Sequence, residues 1–414
     1  MGVSTEVEVR FVPSTVAPGS SWSIGAGNGS VSSPTQPGSI TTRAGCRSSP
    51  SIKSWPTADL GARIGLLCSA KRPVPITLAQ MTALADVYQR PIRDLRISVT
   101  DRCNFRCTYC MPKEVFGKDH EFLPRDDLLT FDEMVIIARA FVERGVEKIR
   151  ITGGEPLLRK GIEKLVGMIR SVEGVGDLTL TTNSSLLVRK AQGLAAAGLD
   201  RVTISLDALD DPTFQKMNDV GFPVGAVLEG IAAAAEAGLG PIKINAVVQR
   251  GVNDHAVLDM ARHFRGTGHI VRFIEYMDVG STNGWRLDDV VPAEEMISAI
   301  NEAFPLEAIP PNYPGEVANR FRYLDGQGEV GVIASVTQPF CGSCTRARIS
   351  AEGSLYTCLF ATAGTNLRDI VRNGEDLGTI IDAVWSKRTD RYSEIRSSQT
   401  VSIGSRVEMS YIGG

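Results

Sequence analysis

Asp94-Leu-Arg-Ile-Ser-Val-Thr100-Asp-Arg-Cys103-Asn-Phe-Arg-Cys107-Thr-Tyr109-Cys110 is the stretch on which the reading of this chain turns. A short apolar run, residues 95–99, has the length and composition of a buried strand. Three cysteines follow it at the spacing C-x3-C-x2-C. Three thiolates can hold three irons of a four-iron cubane and leave the fourth iron without a protein ligand. An open coordination position is the usual mark of a metal that does chemistry. Structural zinc wants four ligands, and the nearest histidine, His120, sits in a polar loop.

Working outward, apolar runs of strand length recur at 148–152, 178–182, 201–206, 242–248 and 270–275. Helix-like stretches at 131–144, 162–171, 186–197, 224–237 and 257–264 separate them. Strand and helix in alternation predict parallel βα units with right-handed connections. Six such units fit an incomplete, open (βα)6 barrel of α/β class better than the closed eight-unit form. Chemistry in such sheets gathers at the carboxyl ends of the strands. The second strand ends there in Ile151-Thr-Gly153-Gly154-Glu155-Pro156. Paired glycines let a ligand approach the main chain, and Glu155 offers an acceptor for an ammonium. Taken alone, that tetrapeptide is only a strand-to-helix turn.

Past Gly280 the rhythm breaks. A helical stretch at 292–304, Pro-rich turns and strand candidates at 320–324 and 329–336 predict a smaller α+β domain from 310 to 414, after a barrel at 79–309. A second cysteine group comes next, Pro339-Phe-Cys341-Gly-Ser-Cys344-Thr-Arg346-Ala347-Arg348, with Cys358 ten residues beyond. Again three thiols stand without a fourth, so a second cluster with one open iron is expected; a zinc knuckle is the alternative. Arg346 and Arg348, two apart, share one face of an extended segment and make a fork for phosphate oxygens or a ring edge.

Composition sets the outer limits. The chain has 414 residues, 43% hydrophobic and 22% charged, and a formal charge of 44 − 47 = −3. That balance implies no bulk attraction to nucleic acid or to a membrane surface. Its apolar runs fall short of a membrane span. Grouped cysteines in a long chain suggest a reducing compartment, the cytoplasm, rather than a disulfide framework. Residues 1–78 are rich in Ser, Gly, Pro and Thr and predict a disordered extension. Their basic bias is compatible with a mitochondrial transit peptide in a eukaryote, or with an overextended start ahead of Met81.

The first cysteine motif, with Tyr109 in its aromatic place, and the Gly-Gly-Glu-Pro turn resemble signatures of the radical S-adenosylmethionine superfamily. The resemblance narrows to the GTP 3′,8-cyclase family of molybdenum cofactor biosynthesis. It rests on the second triad, the Arg-x-Arg beside it, the segments 148–152, 181–183, 205–207, 243–245 and 272–277, and the terminal Ser410-Tyr-Ile-Gly-Gly. It covers the chain from about Asp94 to the end.

By that resemblance Cys103, Cys107 and Cys110 hold a catalytic [4Fe–4S] cluster, and Tyr109, Gly154, Glu155, Ser205 and Met277 line the S-adenosylmethionine site. Cys341, Cys344 and Cys358 hold a second [4Fe–4S] cluster whose open iron binds guanine. Arg96, Arg150, Thr181, Lys243, Arg272, Arg346, Ala347 and Arg348 face GTP, and Gly413 and Gly414 reach into the site. The implied reaction takes the hydrogen at ribose C3′ with a deoxyadenosyl radical and closes the carbon radical onto guanine C8. The implied partners are an electron donor of reductase or flavodoxin type and, downstream, cyclic pyranopterin monophosphate synthase; a homodimer is compatible with it.

Two positions depart from the family pattern. Ser184 stands where glycine usually comes after Thr-Thr-Asn, and Thr203 replaces a common asparagine. Three other readings compete: a peptide-modifying radical enzyme with auxiliary clusters, a noncatalytic iron–sulfur carrier, and a zinc-stabilised interaction protein. Carrier clusters are normally fully ligated by protein, and both triads here stop at three.

Overall fold

Each apolar run expected to be a strand forms one. A computed structural model describes residues 84–396 and 406–414, and the extension expected at 1–78 lies outside them. Strands β1 (Asp94–Ser98), β2 (Lys148–Thr152), β3 (Asp177–Thr182), β4 (Arg201–Ser205), β5 (Lys243–Val248) and β6 (Ile270–Glu275) lie side by side in chain order, all parallel. The helices between them are α1 (Phe131–Val142), α2 (Ile162–Arg170), α3 (Leu187–Ala196), α4 (Asp211–Asn218), α5 (Val224–Glu236) and α6 (Val257–Phe264). This is the six-unit partial barrel.

Period-2 alternation explains why the sheet holds together and also carries chemistry. Leu95, Ile97, Ile149, Ile151, Leu178, Leu180, Val202, Ile204 and Ile244 are at most 1% exposed and join one core with α1, α2 and α3. Each such side chain contributes about 1.5–3 kcal/mol by leaving water. The residues between them, Arg96, Arg150 and Thr181, fall on the opposite face. Local signals fix the helix starts. Thr130 and Glu133 form a reciprocal capping box on α1. Asp210 caps α4 through the Thr213 amide, just ahead of Pro212.

The strands after Ala303 do not form a separate layer. β9 (Glu329–Ile333) pairs parallel with β6 and carries β8 (Asn319–Tyr323) and β7 (Leu306–Ile309) antiparallel beyond it. β10 (Arg346–Ile349) pairs parallel with β1 and carries β11 (Ser354–Tyr356) and β12 (Thr365–Asn366). One twelve-stranded sheet results, in the order 12-11-10-1-2-3-4-5-6-9-8-7. The boundary read near 310 therefore falls within a continuous sheet. Helices α7 (Ala293–Ala303), α8 (Arg368–Asn373), α9 (Leu377–Ser386), α10 (Tyr392–Ile395) and α11 (Met409–Ile412) complete the described chain. No described helix is long and apolar enough to cross a membrane.

Candidate active site

One cavity of about 300 Å³ is lined by all six cysteines of the two triads. Around it stand Arg96, Arg150, Thr181, Arg272, Arg346 and Arg348, together with Tyr109, Gly154, Glu155, Ser205 and Met277. The pairing of β10 with β1 brings the triads to one chamber, although Cys341 lies 231 positions beyond Cys110 (341 − 110).

On the first side, the loop after β1 is locked to the loop after β2. Gly154 N donates to Thr100 O and Glu155 N to Arg102 O, both at 2.8 Å. The fit demands glycine: a Cβ on Gly153 would lie 2.6 Å from Thr100 O, and one on Gly154 would collide with the Arg102 carbonyl. Glu155 is wholly buried and accepts hydrogen bonds from Leu157 N (2.9 Å), Thr182 Oγ1 (2.8 Å) and Asn183 N (2.7 Å). Burial lifts its carboxyl to about 7 against those bonds. Its first task is thus to hold the end of β3 against the cavity. The Tyr109 hydroxyl donates to Asp207 Oδ2 at 3.0 Å. Asn283 Nδ2 donates to the carbonyls of Met277 (2.9 Å) and Tyr109 (3.4 Å), tying two expected cofactor contacts together.

The thiols themselves suit a polynuclear cluster. Burial, then Glu155, pushes Cys103 up to about 12, and burial raises Cys107 and Cys110 as well. Such thiols ionise when a multivalent cation takes them. Among the described residues no group of three His, Cys, Asp or Glu side chains suits a single metal ion. A cubane asks for something else, one thiolate on each of three irons. Cys103, Cys107 and Cys110, lining one cavity, are three such thiols and fit that donor set.

The middle of the chamber is cationic. In register, Arg348 of β10, Arg96 of β1 and Arg150 of β2 are lateral neighbours on three adjacent strands. Arg150 Nη1 donates to Thr181 Oγ1 at 2.9 Å and Thr203 Oγ1 at 3.0 Å. Arg272 Nε donates to Asn245 Oδ1 at 3.0 Å, and opposite it Gly331 leaves room, since a Cβ there would press on the Arg272 side chain at 3.2 Å. Burial, and then neighbouring guanidiniums, lowers Arg96 and Arg150 and takes Arg348 to about 10 and Arg272 to about 9. Arginine keeps its proton even so, so the strands carry a concentrated positive charge. Lys148 also lines the cavity, its ammonium brought down to about 8 by burial and Arg150 while it donates to the Tyr313 hydroxyl at 2.8 Å.

On the second side, Arg346 Nη2 and Arg388 Nη2 each donate to Cys344 Sγ at 3.2 Å. Burial raises this thiol, but the two guanidiniums outweigh it and bring it to about 6. Cys358 stays up at about 11, through burial and Asp390. The C-terminal tail enters as well: Arg348 donates to the Gly413 carbonyl, and Gly414 lines the cavity.

Not every expected contact reaches the chamber wall. Ala347 is fully buried in the apolar core between the two inward arginines of β10. Lys243 lies behind the wall, 4.0 Å from Glu316. Lys148, Tyr313, Asn245, Asp207, Asn283 and Arg388 were missed. Lys148 was legible, two positions before Arg150 on the same strand face, and Asp207 and Asn245 fall in the segments 205–207 and 243–245 that carry the resemblance; Tyr313, Asn283 and Arg388 sit in no motif.

Comparison with known proteins adds independent findings. Residues 97–264 match the Radical SAM superfamily, and residues 269–394 match Molybdenum Cofactor Synthesis C. The chain is 54% identical over 358 residues to a GTP 3′,8-cyclase of Acidothermus cellulolyticus, covering 80% of this chain and 99% of that one. It is 51% identical over 336 residues to a GTP 3′,8-cyclase of Xanthomonas axonopodis pv. citri (81% and 100%) and 49% identical over 337 residues to one of Staphylococcus carnosus (80% and 99%). In fold it is similar to Streptococcus suis SuiB bound to S-adenosylmethionine, with a TM-score of 0.51 at 15% identity over 75% of this chain and 71% of that one.

Proposed function

Because this chain belongs to the GTP 3′,8-cyclase family, radical S-adenosylmethionine enzymes of molybdenum cofactor biosynthesis, we propose that the chamber shared by the two cysteine triads cyclises GTP between two iron–sulfur clusters. The observation that carries this reading is the joint lining of that cavity by both cysteine triads and six arginines. When bound on Cys103, Cys107 and Cys110, the first cluster with S-adenosylmethionine supplies the radical chemistry that takes the ribose C3′ hydrogen. Tyr109, Gly154, Glu155, Ser205 and Met277 hold the sulfonium cofactor on that side. Cys341, Cys344 and Cys358 would hold a second [4Fe–4S] cluster, which would supply one iron without a protein ligand for the purine.

The protein's share is placement and charge. Arg96, Arg150, Arg272 and Arg348 take the triphosphate, with Thr181 orienting Arg150 and Lys243 adding charge from behind; Arg346 stands between Cys344 and the nucleotide. Charged donors fixed in a buried site are worth more than in water and need no reorganisation when the substrate reacts. Pinning both ends of GTP holds C3′ and C8 in one geometry. The reading brings with it a cytoplasmic setting, an electron donor of flavodoxin or reductase type for the first cluster, and delivery of the product to cyclic pyranopterin monophosphate synthase.

The test uses anaerobically reconstituted protein with GTP and S-adenosylmethionine. The expected material carries about eight irons per chain and forms the cyclised dihydroguanosine triphosphate. Arg346→Ala is expected to weaken cyclisation of GTP while S-adenosylmethionine is still cleaved to deoxyadenosine. Normal turnover in that variant, or no cyclised product from the unmodified protein, overturns the reading.

A further inference from the structure

Besides Glu394, which accepts from Gly342 N at 2.8 Å, two places outside the second cysteine triad immobilise it. One is a turn ahead of β1, Asp86 to Arg90, which precedes both family matches. The other is the segment Arg388–Asp390 behind α9. Asp86 Oδ1 accepts from the amides of Tyr88 and Arg90, both at 2.9 Å, which makes the turn a rigid mount. Its Oδ2 meets Arg90 Nε at 2.6 Å and Arg388 Nη1 at 3.4 Å, with all three side chains at most 2% exposed.

From this mount a contact runs to each cysteine loop. Arg90 Nη1 donates to the Cys341 carbonyl at 2.7 Å. Arg388 Nη1 donates to the Cys344 carbonyl at 2.7 Å and its Nη2 to the Cys344 sulfur at 3.2 Å. Asp390 Oδ2 accepts from Thr357 Oγ1, next to Cys358, at 2.6 Å, and from Arg388 Nε at 3.3 Å. The Arg388 guanidinium also lies 4.6 Å from the centre of the Trp385 ring, and the Trp385 indole donates to the Arg90 carbonyl.

Resting on the two-cluster reading above, we propose that Arg388, mounted on Asp86, is the positioning residue of the second cluster: it orients the Cys344 sulfur and raises the cluster's reduction potential. Arg346 and Arg388 both donate to the Cys344 sulfur, whereas the carboxylates around the triad, Asp86, Asp390 and Glu394, accept from guanidinium, hydroxyl or amide groups. Cations and N–H···S bonds placed at the sulfur favour the state holding the extra electron. A purely structural ion pair would need no sulfur contact.

The experiment is a redox titration of both clusters in reconstituted full-length protein, tracked by electron paramagnetic resonance, with iron counted per chain. In Arg388→Gln the second cluster is expected to become harder to reduce, its reduced-to-oxidised ratio at the wild-type midpoint falling about tenfold, the scale of a lost hydrogen bond to a charged group. The first cluster's midpoint and its spectral response to S-adenosylmethionine should not move. Asp390→Asn removes a negative charge while its amide oxygen can still accept from Thr357 and Arg388, and it is expected to shift the second cluster in the opposite direction; it stands as the test on its own if Arg388→Gln does not fold. Unchanged second-cluster midpoints, or shifts of one sign in both variants, overturn the inference. Four irons per chain in the unmodified protein sinks the two-cluster reading itself, a result distinct from a null effect in the variants.

Discussion

Lys243 shows how a single side chain can report on the ligand without touching it. Burial first, then Arg272 and Arg201, holds its ammonium down at about 7. Seating a polyanion nearby favours the charged form, so the pKa rises in the complex. A group whose pKa is raised by binding takes up a proton, and affinity falls as pH climbs from 7 toward the bound-state value. Titration calorimetry of GTP at pH 8, in buffers of different ionisation enthalpy, should therefore show net proton uptake. Lys243→Met should abolish much of it, and an unchanged uptake removes this lysine from the electrostatics of the site. At this scale much was legible. The cysteines and the Arg346–Arg348 fork emerge from spacing and period 2, whereas Arg388 sits among ordinary charged residues and gains its meaning from a contact with Cys344. Ser184 was legible as a misfit, and the structure shows its accommodation. It adopts φ +70°, and Gly230 opposite leaves space that a Cβ would take from the Ser184 hydroxyl.

Among the elements, the six core strands were readable because each is a short apolar run between turn signals. α4 was missed: its sequence Asp-Pro-Thr-Phe-Gln-Lys-Met-Asn is mostly polar, yet Asp210 and Pro212 announce its start. β7 and β10 to β12 are two to four residues long and owe their pairing to tertiary neighbours. The tail element α11 with Gly413 and Gly414 shows what small residues do at a crowded wall. Gly413 adopts φ +75°, and a Cβ on it would strike the Thr152 side chain. Gly413→Ala is expected to lower cyclisation about a hundredfold, the cost of misplacing a contact by an ångström or so. Deoxyadenosine formation should persist. Chromatographic measurement of both products checks this, and parallel loss of the two would mean that the tail serves the cofactor side instead.

For the molecule as a whole, the sheet has no true boundary between the barrel strands and the C-terminal ones. β1 and β6 are edge strands of the six-unit array until β10 and β9 cover them. Uncovered edges pair with other chains. A fragment of residues 79–309 is thus expected to aggregate or remain partly folded, while the same chain extended to 414 folds cooperatively; sedimentation and circular dichroism distinguish the outcomes. A soluble, fully folded fragment would make 79–309 an autonomous domain after all. Sequence pattern does not reveal this arrangement, since nothing local to residues 346–349 says that their partner lies some 250 positions earlier.

The pairing of β10 with β1 also has a consequence in time. At about 5–20 residues per second, roughly 10–50 seconds of synthesis separate Ser98 from Ile349 on the ribosome. For most of that interval Cys103, Cys107 and Cys110 are already out of the tunnel while one wall of their chamber is still unmade. The nascent chain thus presents the first cysteine triad early and completes its shelter late.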